Sequence, residues 1–190
     1  MKQLSSSDAA FGIGAASTEV AGPKGIGMAV AFDWGFATQL LITPYFPFLV
    51  SALGFIKQPS FQLPTAIITL VLALAFFALG EGVRSGVRWT RIVQIVWNAV
   101  VLLGGLGIAV VAIGSIGRGN YWSLVPALII LIACPLILWR ITRPVTAQWF
   151  KSVSSVEARR RHGGAWPFLI LLWSVVGGIL VATSALFSAR

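Results

Sequence analysis

Five long uncharged segments constrain the fold of this chain more than any other feature. Each of these apolar runs is 18 to 25 residues long, and together they cover residues 34–56, 63–80, 92–116, 121–139 and 165–187. A helix rises about 1.5 Å per residue, so segments of this length suit a hydrocarbon core of about 30 Å. We therefore predict an all-α, polytopic integral membrane protein with about five transmembrane helices.

Composition excludes several classes of soluble protein. Only 10% of the 190 residues are charged and the mean hydropathy is +0.90, whereas an average soluble domain carries about 25% charged residues. A single cysteine (Cys134) cannot form an intramolecular disulfide. One cysteine and one histidine (His162) cannot supply the ligands of a structural zinc site. The sequence predicts no metal, no cofactor and no catalytic residue.

The chain divides into a tail and a membrane domain. Residues 1–32 are rich in Ala, Gly and Ser and are predicted to be a flexible tail, with no helix around Pro23. Residues 33–190 form the transmembrane helical domain, in which Asp33 bounds the first span. Pro44 and Pro47 predict a kink in the first span, and a re-entrant segment is the alternative.

The basic residues predict the orientation in the membrane. Eleven of the 14 Lys and Arg residues lie in the tail and in the loops after spans two and four. Cytoplasmic loops carry an excess of Lys and Arg, so this side is predicted to be cytoplasmic. The N-terminus is then inside and the C-terminus outside a cell membrane.

The two basic loops carry candidate sites for anionic lipid headgroups. Val145, Trp149, Val153 and Val156 share one helical face and predict an interfacial amphipathic helix over residues 144–160. A topological anchor and a protein-docking helix are the alternatives. No nucleic-acid partner is expected, because no aromatic residues interleave with the basic ones. The headgroup candidates are Arg84, Arg88, Arg91, Arg159, Arg160 and Arg161.

Polar side chains within the spans are few. Gln94 and Asn98 lie one helical turn apart in the third span, and Thr43 lies in the first. We expect them to form interhelical hydrogen bonds, or alternatively to line a polar path. None of the five spans contains an ionisable residue, which argues against ion pumps and proton-coupled transporters.

Small residues recur at four-residue spacing on two spans, a pattern typical of close helix packing. These positions are Gly105 and Ala109 in the third span and Ser174, Gly178 and Ala182 in the fifth. They could pack within this chain, against a membrane-protein partner or against a second copy.

Two functions remain open. The first is a non-enzymatic accessory, scaffolding or assembly subunit of a membrane complex, held by the small-residue helix faces. The alternative is a facilitative small-molecule permease or channel subunit that uses Thr43, Gln94, Asn98 and the helices kinked at Pro44 and Pro135. The sequence does not indicate an enzyme, because no base, nucleophile or pair of carboxylates comes together.

Overall fold

The described part of the chain consists of helices and turns. The computed structural model describes residues 23, 25–45, 48, 51, 52, 54, 63–116, 124–161 and 166–188, and these contain no β-strand. Residues 1–22 of the predicted tail lie outside this part, as does most of the region that would turn back in a re-entrant segment. The helices are α1 (Ile26–Ile42), α2 (Leu63–Arg84), α3 (Arg88–Ile116), α4 (Leu124–Thr142), α5 (Pro144–Ser152), α6 (Ser155–Arg161) and α7 (Trp166–Ser188).

Among the residues that the structure describes, three helices are long and apolar enough to cross a membrane. They are α2, α3 as far as Gly114, and α4. This confirms the prediction of a helical membrane protein. Helix α1 is apolar but has only 17 residues, so a count of five spans stays a prediction.

Helix α1 begins and ends earlier than the sequence predicts. It begins after Gly25, whose φ of 117° is a left-handed conformation that suits glycine, and a methyl group there would lie 2.6 Å from Cβ of Arg140. The predicted boundary between residues 32 and 33 therefore falls inside this helix. Its last residue is Ile42. Thr43 still has helical backbone angles and donates its N–H to Gln39, but Pro44 has no N–H with which to continue the helix. Helix α4, in contrast, continues through Pro135.

Helix α1 lies at the centre of the packing. It packs along α2 on one side and along α7 on another, and it also contacts α4, while α3 packs mainly along α4. Helices α2 and α3 are joined by residues 85–87 alone, yet they make few contacts with each other. A groove of about 430 Å³ separates them, lined by apolar side chains that include Phe76 and Trp97.

The predicted interfacial helix over residues 144–160 is instead a pair of short helices that cap the bundle. Extended backbone at Val153 separates α5 from α6. Trp149 and Phe150 are buried in the core with residues of α1, α2 and α4, whereas Val145 is 64% exposed and Val156 is 79% exposed. The period of the sequence located the helical segment and its buried Trp149, but Val145 and Val156 of the same predicted face are exposed.

Candidate functional site

A fully buried aspartate lies inside α1. Asp33 is the eighth residue of the helix, about 10 Å along its axis from Ile26. The sequence pattern predicts Asp33 at the boundary of a span, whereas the structure places it inside an apolar helix with apolar residues on both sides. Apolar helices seldom contain a carboxyl group, and those that do mostly use it for function.

Gln94 and Asn98 of α3 are buried next to this aspartate. The Gln94 side-chain amide Nε2 donates a hydrogen bond of 2.9 Å to Oδ1 of Asp33. One turn further along α3, Nδ2 of Asn98 donates to the backbone oxygen of Gln94 over 2.8 Å. Both side chains are fully buried. Gln94 thus links two helices, whereas Asn98 bonds within its own helix.

Three oxygen atoms of this group have no hydrogen-bond partner among the described residues. They are Oδ2 of Asp33, Oε1 of Gln94 and Oδ1 of Asn98. The orientation of both amides follows from chemistry, because their NH₂ groups must face the carboxylate and the carbonyl that accept from them. The two amide oxygens are therefore the atoms left without a donor, and together with Oδ2 of Asp33 they make three open buried acceptors.

Tryptophans flank these polar residues along both helices: Trp34 follows Asp33, and Trp97 precedes Asn98. Trp97 lies between Gln94 and Asn98 along α3, and its ring stacks edge-on against Phe36 and tilted against Phe76. The indole nitrogens of Trp34 and Trp97 are also buried without a hydrogen-bond partner in the described part of the chain. The site therefore combines three open acceptors with two open donors, all from α1 and α3.

Glycine at position 80 lets α2 approach the aspartate. A methyl group on Gly80 would lie 2.5 Å from the indole nitrogen of Trp34 and 3.4 Å from Cβ of Asp33. Cys134 of α4, which is fully buried, lies close enough to Asp33 to interact with it electrostatically. Residues of four helices therefore enclose the cluster, which we call the Asp33 cluster: Asp33, Trp34, Gln94, Trp97 and Asn98.

The open polar atoms of the Asp33 cluster are suited to bind a proton or a small polar ligand. An ionised carboxylate in an apolar interior is very unfavourable unless it is paired, and buried amide oxygens are costly unless they accept a hydrogen bond. A proton, a small cation or water molecules would satisfy these groups. Among the described residues, no group of three His, Cys, Asp or Glu side chains could hold a metal ion.

The arginines predicted to bind headgroups are collected at one end of the bundle. Arg84 forms a 2.7 Å ion pair with Glu81, which Arg159 also approaches at 3.4 Å. Arg88 donates to the backbone oxygen of Lys151, and Arg91 donates to that of Ile141. These guanidinium groups tie the two basic loops together. The side chains of Arg160 and Arg161 lie outside the described part.

Three of the five small residues predicted to pack helices, Gly105, Ser174 and Gly178, lie against another helix of this chain. The Ser174 hydroxyl lies 3.0 Å from the backbone oxygen of Ala31 in α1, and a methyl group on Gly178 would lie 3.1 Å from the Gln39 nitrogen. Gly105 faces Ile130 of α4 in close contact. Ala109 is half-buried on α3, and the side chain of Ala182 lies outside the described part.

Thr43 is not part of the polar cluster. It is exposed at the end of α1, and its hydroxyl donates to the backbone oxygen of Gln39 over 2.7 Å. Ten residues separate it from Asp33, which is about 15 Å along a helix. The structure therefore brings Gln94 and Asn98 together with Asp33 and leaves Thr43 at a different depth.

Comparisons with family models, with curated proteins and with solved structures give no match for this chain.

Proposed function

We propose that this chain is a non-enzymatic, multi-pass protein of the cell membrane that acts as a facilitative small-molecule permease or channel subunit. The observation that carries the proposal is the Asp33 cluster, with its buried carboxyl group and its open acceptors and donors. Intramembrane ionisable residues typically mark ion or solute pathways. Simple helix packing does not require acceptors without partners.

The proposed topology has five spans, in which α1 and α7 cross together with the three longer helices. The N-terminus lies in the cytoplasm and the C-terminus outside. The end of the bundle that holds Arg84, Arg88 and Arg91 then faces the cytoplasmic leaflet, where anionic headgroups contact the remaining donors of these side chains. This arrangement follows the distribution of Lys and Arg along the sequence.

An accessory or assembly subunit is the second candidate, and a different face of the protein favours it. Gly104 and Gly107 of α3 have no atom of the described residues near the position of an added methyl group. A partner helix or a second copy could approach the backbone closely there. Ser174, Gly178 and Gly105 do not support this candidate, because they pack within the chain.

Flux into proteoliposomes tests the permease proposal. The purified chain is reconstituted, and the entry of glycerol, potassium ions and protons is compared with that of empty vesicles. We expect wild-type protein to accelerate at least one of these probes, and Asp33→Leu and Asn98→Leu to reduce that flux to the level of empty vesicles.

Thr69→Ala is the control variant, because the Thr69 hydroxyl bonds only to carbonyls of its own helix. It should leave the flux unchanged. Wild-type vesicles that admit none of the three probes faster than empty vesicles would overturn the proposal. A particle mass of more than one chain in mild detergent, together with that result, would support the accessory subunit instead.

A further inference from the structure

We infer that the Asp33 cluster binds a single proton, held on Oδ2 of Asp33 and donated to Oε1 of Gln94. This inference deepens the proposed function, on which its role in transport rests. The binding itself rests on geometry alone. Asp33 is then a neutral carboxylic acid that forms two hydrogen bonds with one carboxamide.

The existing hydrogen bond supplies half of this arrangement. Nε2 of Gln94 donates to Oδ1 of Asp33 over 2.9 Å. The second polar atom of each planar group is an oxygen, and both of these oxygens are buried with no partner among the described residues. A carboxylic acid and a carboxamide can form two parallel hydrogen bonds, the second from the acid O–H to the amide oxygen. One proton on Oδ2 would then satisfy both open oxygens at once.

No described cation neutralises Asp33. On α2, Glu81 and Arg84 pair with each other, and on α3 the Arg91 guanidinium bonds to a carbonyl of α4. Cys134 is the titratable group near Asp33 on α4. Helix α7 contains no Asp, Glu, Lys, Arg or His. A carboxyl group that is buried without a counter-ion is far more stable when it carries a proton.

The donor set favours a proton over a metal cation. Hard cations such as calcium and magnesium take six or more oxygen ligands, whereas three side-chain oxygens are open here. The approach of Gly80 to Trp34 and Asp33 also leaves little room, since even a methyl group would lie 2.5 Å from the indole nitrogen. A proton needs no added volume.

Asparagine at position 33 imitates the protonated state. The carboxamide of Asp33→Asn keeps an acceptor for Nε2 of Gln94 and supplies a donor for its Oε1. The variant therefore retains both hydrogen bonds but cannot release the proton. This pairing makes Asp33→Asn the sharpest available probe of the inference.

Infrared spectroscopy of the full chain in lipid bilayers at neutral pH tests the inference directly. We expect the carbonyl band of a protonated carboxylic acid in wild-type protein, its complete loss in Asp33→Asn, and its displacement in Gln94→Leu. Glu81→Gln is the matched control, because Glu81 is the carboxylate paired with Arg84. It should retain the band.

A second readout uses the dependence of stability on pH. The folded chain would hold a proton that an exposed aspartate releases, so the free energy of unfolding should decrease as the pH rises. That component of the slope should vanish in Asp33→Asn. Absence of the carboxylic acid band from wild-type protein would overturn the inference, as would its persistence in Asp33→Asn.

A sodium-dependent increase in the stability of wild-type protein, absent in Asp33→Asn and measured against choline at equal ionic strength, would also overturn it in favour of a cation. Failure of the inference and failure of the proposed function are distinguishable. A carboxylic acid band without flux retains the proton site and removes the permease, whereas flux without the band does the reverse.

Discussion

The two sides of α1 use polar groups in opposite ways. On the side of α7, the Ser174 hydroxyl lies within hydrogen-bonding distance of two carbonyls, those of Ala31 and Ile170. On the side of α3, Gln94 donates one interhelical bond, yet five buried polar atoms of the Asp33 cluster have no partner among the described residues. The α7 side is therefore complete as packing, whereas the α3 side is complete only with something added. Burial of a polar group does not by itself distinguish a structural role from a functional one. The presence or absence of a hydrogen-bond partner does.

The largest loss of stability is expected where α7 packs closely against α1. Gly178→Leu should lower the free energy of unfolding by about 3 kcal/mol, because a side chain there meets Thr38 and the Gln39 backbone. Gly177→Leu is the matched control, since the space beside Gly177 is open. Denaturant titration in detergent, followed by tryptophan fluorescence, measures both. Equal losses in the two variants would contradict the view that α7 packs tightly through one face.

The next largest loss of stability is expected on the α3 side, when the carboxyl group of Asp33 is replaced. Asp33→Leu should cost about 2 kcal/mol, because it leaves the buried Nε2 of Gln94 without an acceptor. Asp33→Asn should stay close to wild type at neutral pH. The same denaturant titration measures the free energy of unfolding of both variants. A large loss in Asp33→Asn would indicate that the negative charge itself stabilises the fold.

A smaller loss of stability is expected when the Ser174 hydroxyl, which has hydrogen-bond partners, is removed. Ser174→Ala should lower stability by about 0.6 kcal/mol, the usual contribution of a side-chain hydrogen bond between membrane helices. Ser152→Ala serves as the control, because its hydroxyl bonds only to carbonyls of its own short helix. A loss of several kcal/mol in Ser174→Ala would mean that α7 depends on this hydroxyl far more than on close packing.

The smallest effect on stability is expected at Asn98. Asn98→Leu should change the free energy of unfolding by less than about 0.5 kcal/mol, because it removes an unpaired acceptor and a bond within one helix. It should nevertheless reduce the proteoliposome flux. A cost well above 1 kcal/mol would show instead that Oδ1 of Asn98 holds a tightly bound molecule in the resting protein.

The sequence predicts the long helices well and the site only in part. Long uncharged runs indicate α2, α3 and α4 because the thickness of the hydrocarbon core sets how long an apolar spanning helix must be. Asp33 is missed because a charge is read as the end of an apolar segment, although apolar residues of Ile26–Ile42 lie on both sides of it. Its partner Gln94 is 61 residues away, so no local pattern joins them.

Local sequence also fails to predict the effect of the prolines and the burial of one aromatic residue. Pro44 and Pro135 look alike in sequence, yet α1 ends before the first and α4 continues through the second. Whether a helix survives a proline depends on what satisfies the freed carbonyl, which is a property of the neighbours. Burial of Phe150 likewise follows from the three helices it meets, since the predicted apolar face of α5 does not include it.

Because α2 and α3 are separated by a groove, the stability of the protein depends on the lipid or detergent around it. The groove between these helices is lined by apolar side chains that a lipid or detergent chain would contact, among them Trp97, whose indole nitrogen belongs to the Asp33 cluster. A molecule that fills the folded groove shifts the unfolding equilibrium according to its concentration and affinity. Stabilities measured in two detergents are therefore two different quantities, and every variant comparison needs one amphiphile held at one concentration.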